Sequence, residues 1–308
     1  MKRRFQPWQL ATLVVVVCGG VVWFAHWRRA SRSFDAAGLL ECLPPDRSTH
    51  LYINVDALRR SGILDLLAGS RAAEEPDYRK FVNETGFDYR IDLDAAAAAF
   101  LQGDVYLALR GRFNWRQLSK YARDQGGACQ NTICNMPAST PERYISFYPL
   151  TSDILALAVS REQRGVLMIG PGQWSTPPQI PAEPVWISAP AFVFSDVKDL
   201  PEGTHSFLSP LAQAQRITFA MGPHGDRLQI RLDVVCADPA AAAALADQLN
   251  RTTDLLKKML ERQHMTPNAE DLSGVLVAGS FEQQNQRVLG TWPVARGFLE
   301  ALAAGRVQ

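Results

Sequence analysis

Hydrophobic and polar positions alternate in THLYINVD, which predicts a strand over Thr49 to Val55. The period then lengthens. Asp56 is placed to cap a helix through ALRRSGILDLLAG, whose apolar positions are Leu58, Ile63, Leu66 and Leu67. A second helix is expected around Asp77 to Glu84, with Tyr78, Phe81 and Val82 on neighbouring turns and Gly86 ending it. AAAAAF, residues 95–100, is expected to be helical on propensity alone. Alternation returns in GDVYLALRG, a strand over Gly103 to Gly111. FNWRQLSKYARDQG follows as a helix capped by Asn114 and stopped by Gly126 and Gly127. RYISFYPLTSDILALAVS has the form of a hairpin turning at Thr151 to Asp153, and REQRGVLMIG of a short helix or a helix-to-strand passage.

GPGQWSTPPQIPAEP, residues 170–184, carries five prolines and no regular period, which marks a linker. Beyond it, PVWISAP and AFVFSDV are short β-like runs, and RITFAMGPHGDRLQIRLDVVC alternates on both sides of a GPHGD turn. ADPAAAAALADQLNRTTDLLKKMLERQH predicts a long helix capped by Asp238, with Pro239 in its first turn. Its inner face would carry Leu245, Leu249, Thr252, Leu256 and Leu260. GVLVAGSFEQQNQRVLGTWPV reads as another hairpin, followed by a short helix in ARGFLEALA. Hairpins alternating with helices define an α+β fold with antiparallel sheets, expected in two lobes, 35–169 and 185–308. THLYINVDAL and PAFVFSDVKDL share a faint pattern, suggestive of a duplication.

The N-terminal segment, residues 1–34, follows different rules. No Lys, Arg, Asp or Glu occurs from Trp8 to Trp27. About 20 such residues would span about 30 Å as a helix, the thickness of a bilayer's hydrocarbon core. Trp8, Trp23 and Trp27 stand at the ends, where indoles favour the membrane interface, and basic residues flank both sides. A cleavable signal peptide would have a shorter apolar core and a small-residue exit, whereas this one leaves through FAHWRRAS. Lipidation at Cys18 would call for a small residue before it, where Val17 stands, and a buried core helix would show a polar face. The segment is expected to be an uncleaved single-pass signal anchor, with residues 8–27 in the lipid bilayer. Three basic side chains stand on each flank and the α-amino group adds one positive charge on the N-terminal side, so the orientation bias is slight. The expectation is an N-terminus in the cytoplasm and the bulk outside, as a periplasmic domain; a cytoplasm-facing domain is the alternative.

The chain has 308 residues, 47% hydrophobic and 20% charged, as befits a folded protein, and a net charge of +1 that provides no footprint for nucleic acid. Cys129 and Cys134 lie in GGACQNTICNMP, where a small disulfide ring fits. The zinc reading lacks a second ligand pair, and the redox reading would require two intervening residues where four occur. A disulfide comes first in order, free structural thiols second and a metal third. Cys236 is expected at a strand end as a small buried hydrophobe.

No phosphate-binding glycine loop and no G-x-S-x-G elbow is present, and the five histidines never form H-x-x-x-H or H-E-x-x-H. No catalytic, cofactor-binding or metal-ligating residue is assigned on these grounds. A Ser/His/Asp set could still assemble from remote positions. GFDYRIDLD places Asp88, Asp92 and Asp94 close together, but it lacks the central glycine and closing carboxylate of a calcium loop. The favoured reading is punctuation: Gly86 stops one helix and Asp92 or Asp94 caps the alanine-rich one.

LPPDRSTHLYINVDALRRSGIL, DYRKFVNETGFDYRIDLD and DVYLALRGRFNWRQLSKYA, behind a single N-terminal span, resemble a group of bacterial membrane-anchored proteins of unknown function. The resemblance covers about Leu43 to Ala122 and implies a cell-envelope setting without contributing any functional residue. The leading expectation is a non-enzymatic binding or assembly protein of the envelope, with an envelope protein as a partner. The rival is an extracytoplasmic hydrolase whose site is dispersed along the chain.

Overall fold

The computed structural model describes residues 36–45, 47–65, 76–174, 179–195, 207–224, 227–264, 266–268 and 271–303. The expected membrane span at Trp8–Trp27 lies outside the described residues, among which no helix is long and apolar enough to cross a membrane.

The fold is α+β, built on one large antiparallel sheet with several helices. The first half contains α1 (Ala36–Leu40), β1 (Thr49–Ile53), α2 (Val55–Arg60), α3 (Pro76–Thr85), α4 (Tyr89–Asp92), β2 (Leu93–Leu101) and β3 (Asp104–Gly111). It continues through α5 (Trp115–Asp124), β4 (Ala128–Gln130), β5 (Ile133–Pro137), β6 (Tyr144–Pro149) and β7 (Ile154–Ser160). The second half contains β8 (Val185–Pro190), β9 (Arg216–His224), β10 (Arg227–Val235), α6 (Pro239–Arg262), α7 (Leu272–Val277), β11 (Ser280–Gln284), β12 (Arg287–Val294) and α8 (Arg296–Ala303).

The twelve strands lie in the order β11-β12-β10-β9-β8-β1-β2-β3-β7-β6-β5-β4. β1 pairs with β8, so the two halves share one sheet across that seam. Counted outward from the seam, both halves share a path of a strand, a hairpin, a helical excursion and a hairpin whose later strand returns beside the first hairpin, with β4–β5 as an additional hairpin in the first half. In this path β1 corresponds to β8, and hence to VWISAP rather than to PAFVF, the match the sequence pattern suggested.

Several elements correct the sequence expectations. AAAAAF is part of strand β2, not a helix. Helix propensity differs by less than about 1 kcal/mol among ordinary residues and yields to tertiary context. The context here is a central position between β1 and β3, where Ala95, Ala97 and Ala99 are fully buried. Short side chains on that face let α1 and its extension lie close to the sheet, so that Leu39, Leu40 and Leu43 are buried against the alanines. The cap of α2 is Asn54, whose Oδ1 accepts from the Ala57 N–H at 2.9 Å, while Asp56 sits in the first turn. Ala191–Ser195 is a 3-10 turn instead of a strand, and GVLVAG lies in α7 and its exit instead of in a hairpin. The caps at Asn114 and Asp238 stand where expected, and Gly86 ends α3 at φ +72°.

Side chains alternate between the two faces of the sheet. On one face, α6, α7 and α8 cover the second half over a core that includes Ile217, Leu232, Val234, Leu249, Val288 and Trp292. α5 covers the first half over Leu118, Phe147 and Leu155. The opposite face differs between the halves. A register row across it runs Tyr148, Ala156, Ala108, Ala97, Tyr52, Trp186, Ala220, Arg231 and Thr291. The next runs Ala158, Tyr106, Ala99, His50, Ser188, Thr218, Asp233 and Leu289. The face is therefore small and apolar in the first half, where α1 packs, and polar in the second.

Candidate functional site

The polar half of that face is the floor of a concave cavity of about 680 Å³. β1 contributes His50, β8 Trp186 and Ser188, β9 Arg216, Thr218 and Ala220, β10 Arg231, Asp233 and Val235, and β12 Arg287. Its walls come from Trp174 and the 179–183 stretch of the proline-rich segment, including Ile180 and Pro181, with Leu40 of α1. Trp174 and Pro184 of that segment are docked on the fold. The Trp174 indole N–H donates to the Leu40 carbonyl at 2.8 Å and to that of Leu43 at 3.0 Å. The Asn54 N–H donates to the Pro184 carbonyl at 2.7 Å.

Three guanidiniums meet two carboxylates here, and the pairing is selective. Arg231 binds Glu183 at 2.7 Å. Arg287 grips both oxygens of Asp233, its Nε at 2.8 Å from Oδ1, and reaches Gln179 with Nη1 at 2.7 Å. Arg216 forms no ion pair with any described carboxylate. Its Nη1 donates to Ser188 Oγ at 3.2 Å, and Ser188 shares a 2.9 Å hydrogen bond with Thr218 Oγ1. Burial lowers the Arg216 pKa from its ordinary value, yet a guanidinium stays charged at any ordinary pH. The cavity lining thus retains one positive charge opposite hydroxyls and apolar walls.

His50 lies at the inner end, buried, its ring 5.1 Å from that of Trp174. Its Nε2 contacts Ser48 Oγ at 2.9 Å and the Pro44 carbonyl at 3.0 Å. A carbonyl only accepts, so Nε2 carries the proton, and the Ser48 hydroxyl is itself donated to Pro44 at 2.8 Å. The pair is therefore not a serine nucleophile with its base. Burial lowers the His50 pKa, the Pro44 bond opposes that, and the nearby Arg216 charge lowers it further, leaving a neutral ring. No hydrogen bond among the described residues joins His50 to Ser188, Asp233 or Glu183.

The acids singled out in the sequence lie elsewhere. Asp88 caps α4, accepting from the Arg90 N–H at 2.9 Å and from the Tyr78 hydroxyl at 2.8 Å. Asp92 accepts from the Asp88 N–H at 3.0 Å and pairs with Arg112 at 3.0 Å, while Asp94 is part of β2. Their role is punctuation, but of α4 and not of an alanine-rich helix. Among the described residues no three His, Cys, Asp or Glu side chains come together in a way that could hold a metal ion. Cys129 and Cys134 face each other across the β4–β5 hairpin and are joined by a disulfide, 4.0 Å apart at Cα. Cys42 and Cys236 are free and buried.

In the sequence, residues 170–184 mark only a boundary, and none of the cavity residues stands out as a site. The signal was there in RITFAM and RLQIRLDVV. Their alternation puts Arg216, Thr218, Arg231 and Asp233 on the face opposite Ile217, Phe219, Leu232 and Val234.

No protein-family model matches the chain, and no curated protein matches it. Solved structures of TP0453 are similar to it at 12% identity. Crystal form IV has a TM-score of 0.48, covering 89% of this chain and 98% of that one. Form III has a TM-score of 0.45 with 86% and 96% covered, and form I has 0.43 with 88% and 97%.

Proposed function

We propose that this chain is a membrane-anchored binding protein of the bacterial envelope, held in the bilayer by residues 8–27, with its two lobes outside the cytoplasm and its ligand in the cavity behind the proline-rich segment. The observation that carries the binding role is Arg216, a half-buried guanidinium in a concave site whose neighbouring arginines both have carboxylate partners. Pockets of several hundred Å³, mostly apolar with a few convergent polar groups, suit small ligands. The hydrolase reading draws no support from His50 and Ser48, which are buried and committed to the Pro44 carbonyl. The anchor and the resemblance to bacterial membrane-anchored proteins support the envelope setting, and the Cys129–Cys134 disulfide is compatible with an oxidising compartment.

Two measurements test this reading. Alkaline phosphatase fused after Arg32 should be active; an inactive fusion beside an active cytoplasmic reporter would refute the orientation. Native mass spectrometry of the purified full-length chain mixed with an envelope extract should show a stoichiometric small-molecule adduct. A chain that stays bare refutes the binding role.

A further inference from the structure

The two halves of the sheet follow one strand path, yet they treat the same face in opposite ways. In the first half the face is closed: alanines of β2, β3 and β7 receive Leu39, Leu40 and Leu43. In the second half the corresponding surface bears Arg216, Thr218, Ser188, Arg231, Asp233 and Arg287, and it stays open beneath the proline-rich wall. Burying polar groups in a concavity costs stability unless each finds a partner. Arg231 and Arg287 have theirs in Glu183 and Asp233. Only the Arg216 charge lacks a described carboxylate, and the Ser188–Thr218 pair beside it, in which one hydroxyl donates to the other, leaves one hydroxyl proton to share an acceptor. Beside this polar point and the two ion pairs, the lining has an apolar part: Trp174, Ile180, Pro181, Trp186, Ala220 and Val235.

Resting on the binding role proposed above, we infer that the cavity ligand is an amphiphile with an oxyanion head, a carboxylate or phosphate, that meets Arg216, Ser188 and Thr218 while its apolar body lies against Trp174, Ile180 and Pro181. Arg is suited to this task because its planar fork presents parallel donors to two oxygens. The paired arginines act as a selectivity device, since each carboxylate already present neutralises one cation and leaves a single positive point for the head. The same head chemistry occurs in free alkyl acids and in anionic membrane lipids, and the two sources can be separated experimentally.

The full-length chain, reconstituted in phosphatidylcholine nanodiscs, is titrated with octanoate, octyl phosphate and 1-octanol while tryptophan fluorescence is recorded. Arg216→Met and Arg216→Lys are compared with Arg251→Gln, a control on the exposed face of α6, and thermal melts confirm that each variant is folded. The expected result is binding of the two anions well above the alcohol. Arg216→Met should weaken anion binding by at least about tenfold, the loss of one charge-assisted contact. Arg216→Lys should recover part of it and Arg251→Gln should change nothing. Repeating the titration in phosphatidylglycerol nanodiscs assigns the source: competition identifies a lipid head, and unchanged binding a free acid. Equal binding of octanol and octanoate, unaffected by Arg216→Met, would overturn the oxyanion inference while leaving the binding role standing. Binding of none of the three probes would overturn the amphiphile inference, and the native mass spectrum then decides separately whether the binding role stands.

Discussion

Tyr52 and Trp186 stack across the β1–β8 seam with ring centroids 5.7 Å apart and planes 25° from parallel. Both are buried, and they belong to different halves of the chain. The stack shares a cluster with the alanines beneath α1 and also borders the cavity, so it couples the closed part of the face to the open part.

Trp186→Ala should therefore destabilise the whole sheet and not one half. The expected cost is about 3 kcal/mol, the low end for emptying a buried tryptophan site. The indole N–H of Trp186 is buried without a partner among the described residues, so its removal relieves a desolvation penalty that offsets part of the lost packing. Urea unfolding followed by fluorescence and by far-ultraviolet circular dichroism should show a lower midpoint with both probes still coincident.

Ala97→Leu tests the strand assignment of the alanine run. In an exposed helix this change would be nearly neutral, because leucine is a good helix former. At a fully buried position facing α1 it must displace packed neighbours, at a cost of about 1–3 kcal/mol. A thermal melt distinguishes the two outcomes.

His50 makes stability depend on pH. Its imidazole pKa is lowered in the fold, chiefly by burial. Between the lowered value and the ordinary one, about 6.5, the unfolded chain binds more protons than the folded chain, so stability falls as pH falls through that window. Above about pH 7 the contribution is fully present. His50→Gln retains a donor for the Pro44 carbonyl and has no proton to take up. Its urea midpoint should vary less than the wild-type one between about pH 5 and pH 8.

The Cys129–Cys134 bridge closes a very short loop, so its effect on the unfolded chain is modest. Replacing both cysteines with serine should cost about 2 kcal/mol by loop-closure entropy. Alkylation of the purified protein under non-reducing, denaturing conditions should label Cys18, Cys42 and Cys236 and spare the pair. Labelling of Cys129 and Cys134 as well would show that the bond is absent in the cell.

Local chemistry was the legible part of the sequence. Asn114, Asp238 and Gly86 mark helix ends through capping and a left-handed φ, and those effects involve only neighbouring residues. The hairpins at Thr151–Asp153 and at 224–227 were legible for the same reason. Ala95 to Ala99 misled because what sets their conformation is the approach of Leu39, Leu40 and Leu43, more than fifty positions away. GVLVAG misled because a short apolar run fits a strand or a buried helix equally, and only packing beneath α6 decides. The cavity stayed hidden because its floor takes one or a few residues from each of five strands, and its wall comes from Trp174 and residues 179–183 of a segment that carries no period.

The β1–β8 seam also sets an order in time. Thr49–Ile53 leaves the ribosome early and pairs with β2 soon after, but its other edge must wait for Val185–Pro190. At common synthesis rates that interval is on the order of ten seconds. During it the nascent half-sheet presents an unpaired row of backbone N–H and carbonyl groups, ready to take a strand from any neighbour. Nascent chains crowded together during that interval are exposed to swapping one another's β8, and a chaperone that shields β1 would act at the step where the hazard is greatest.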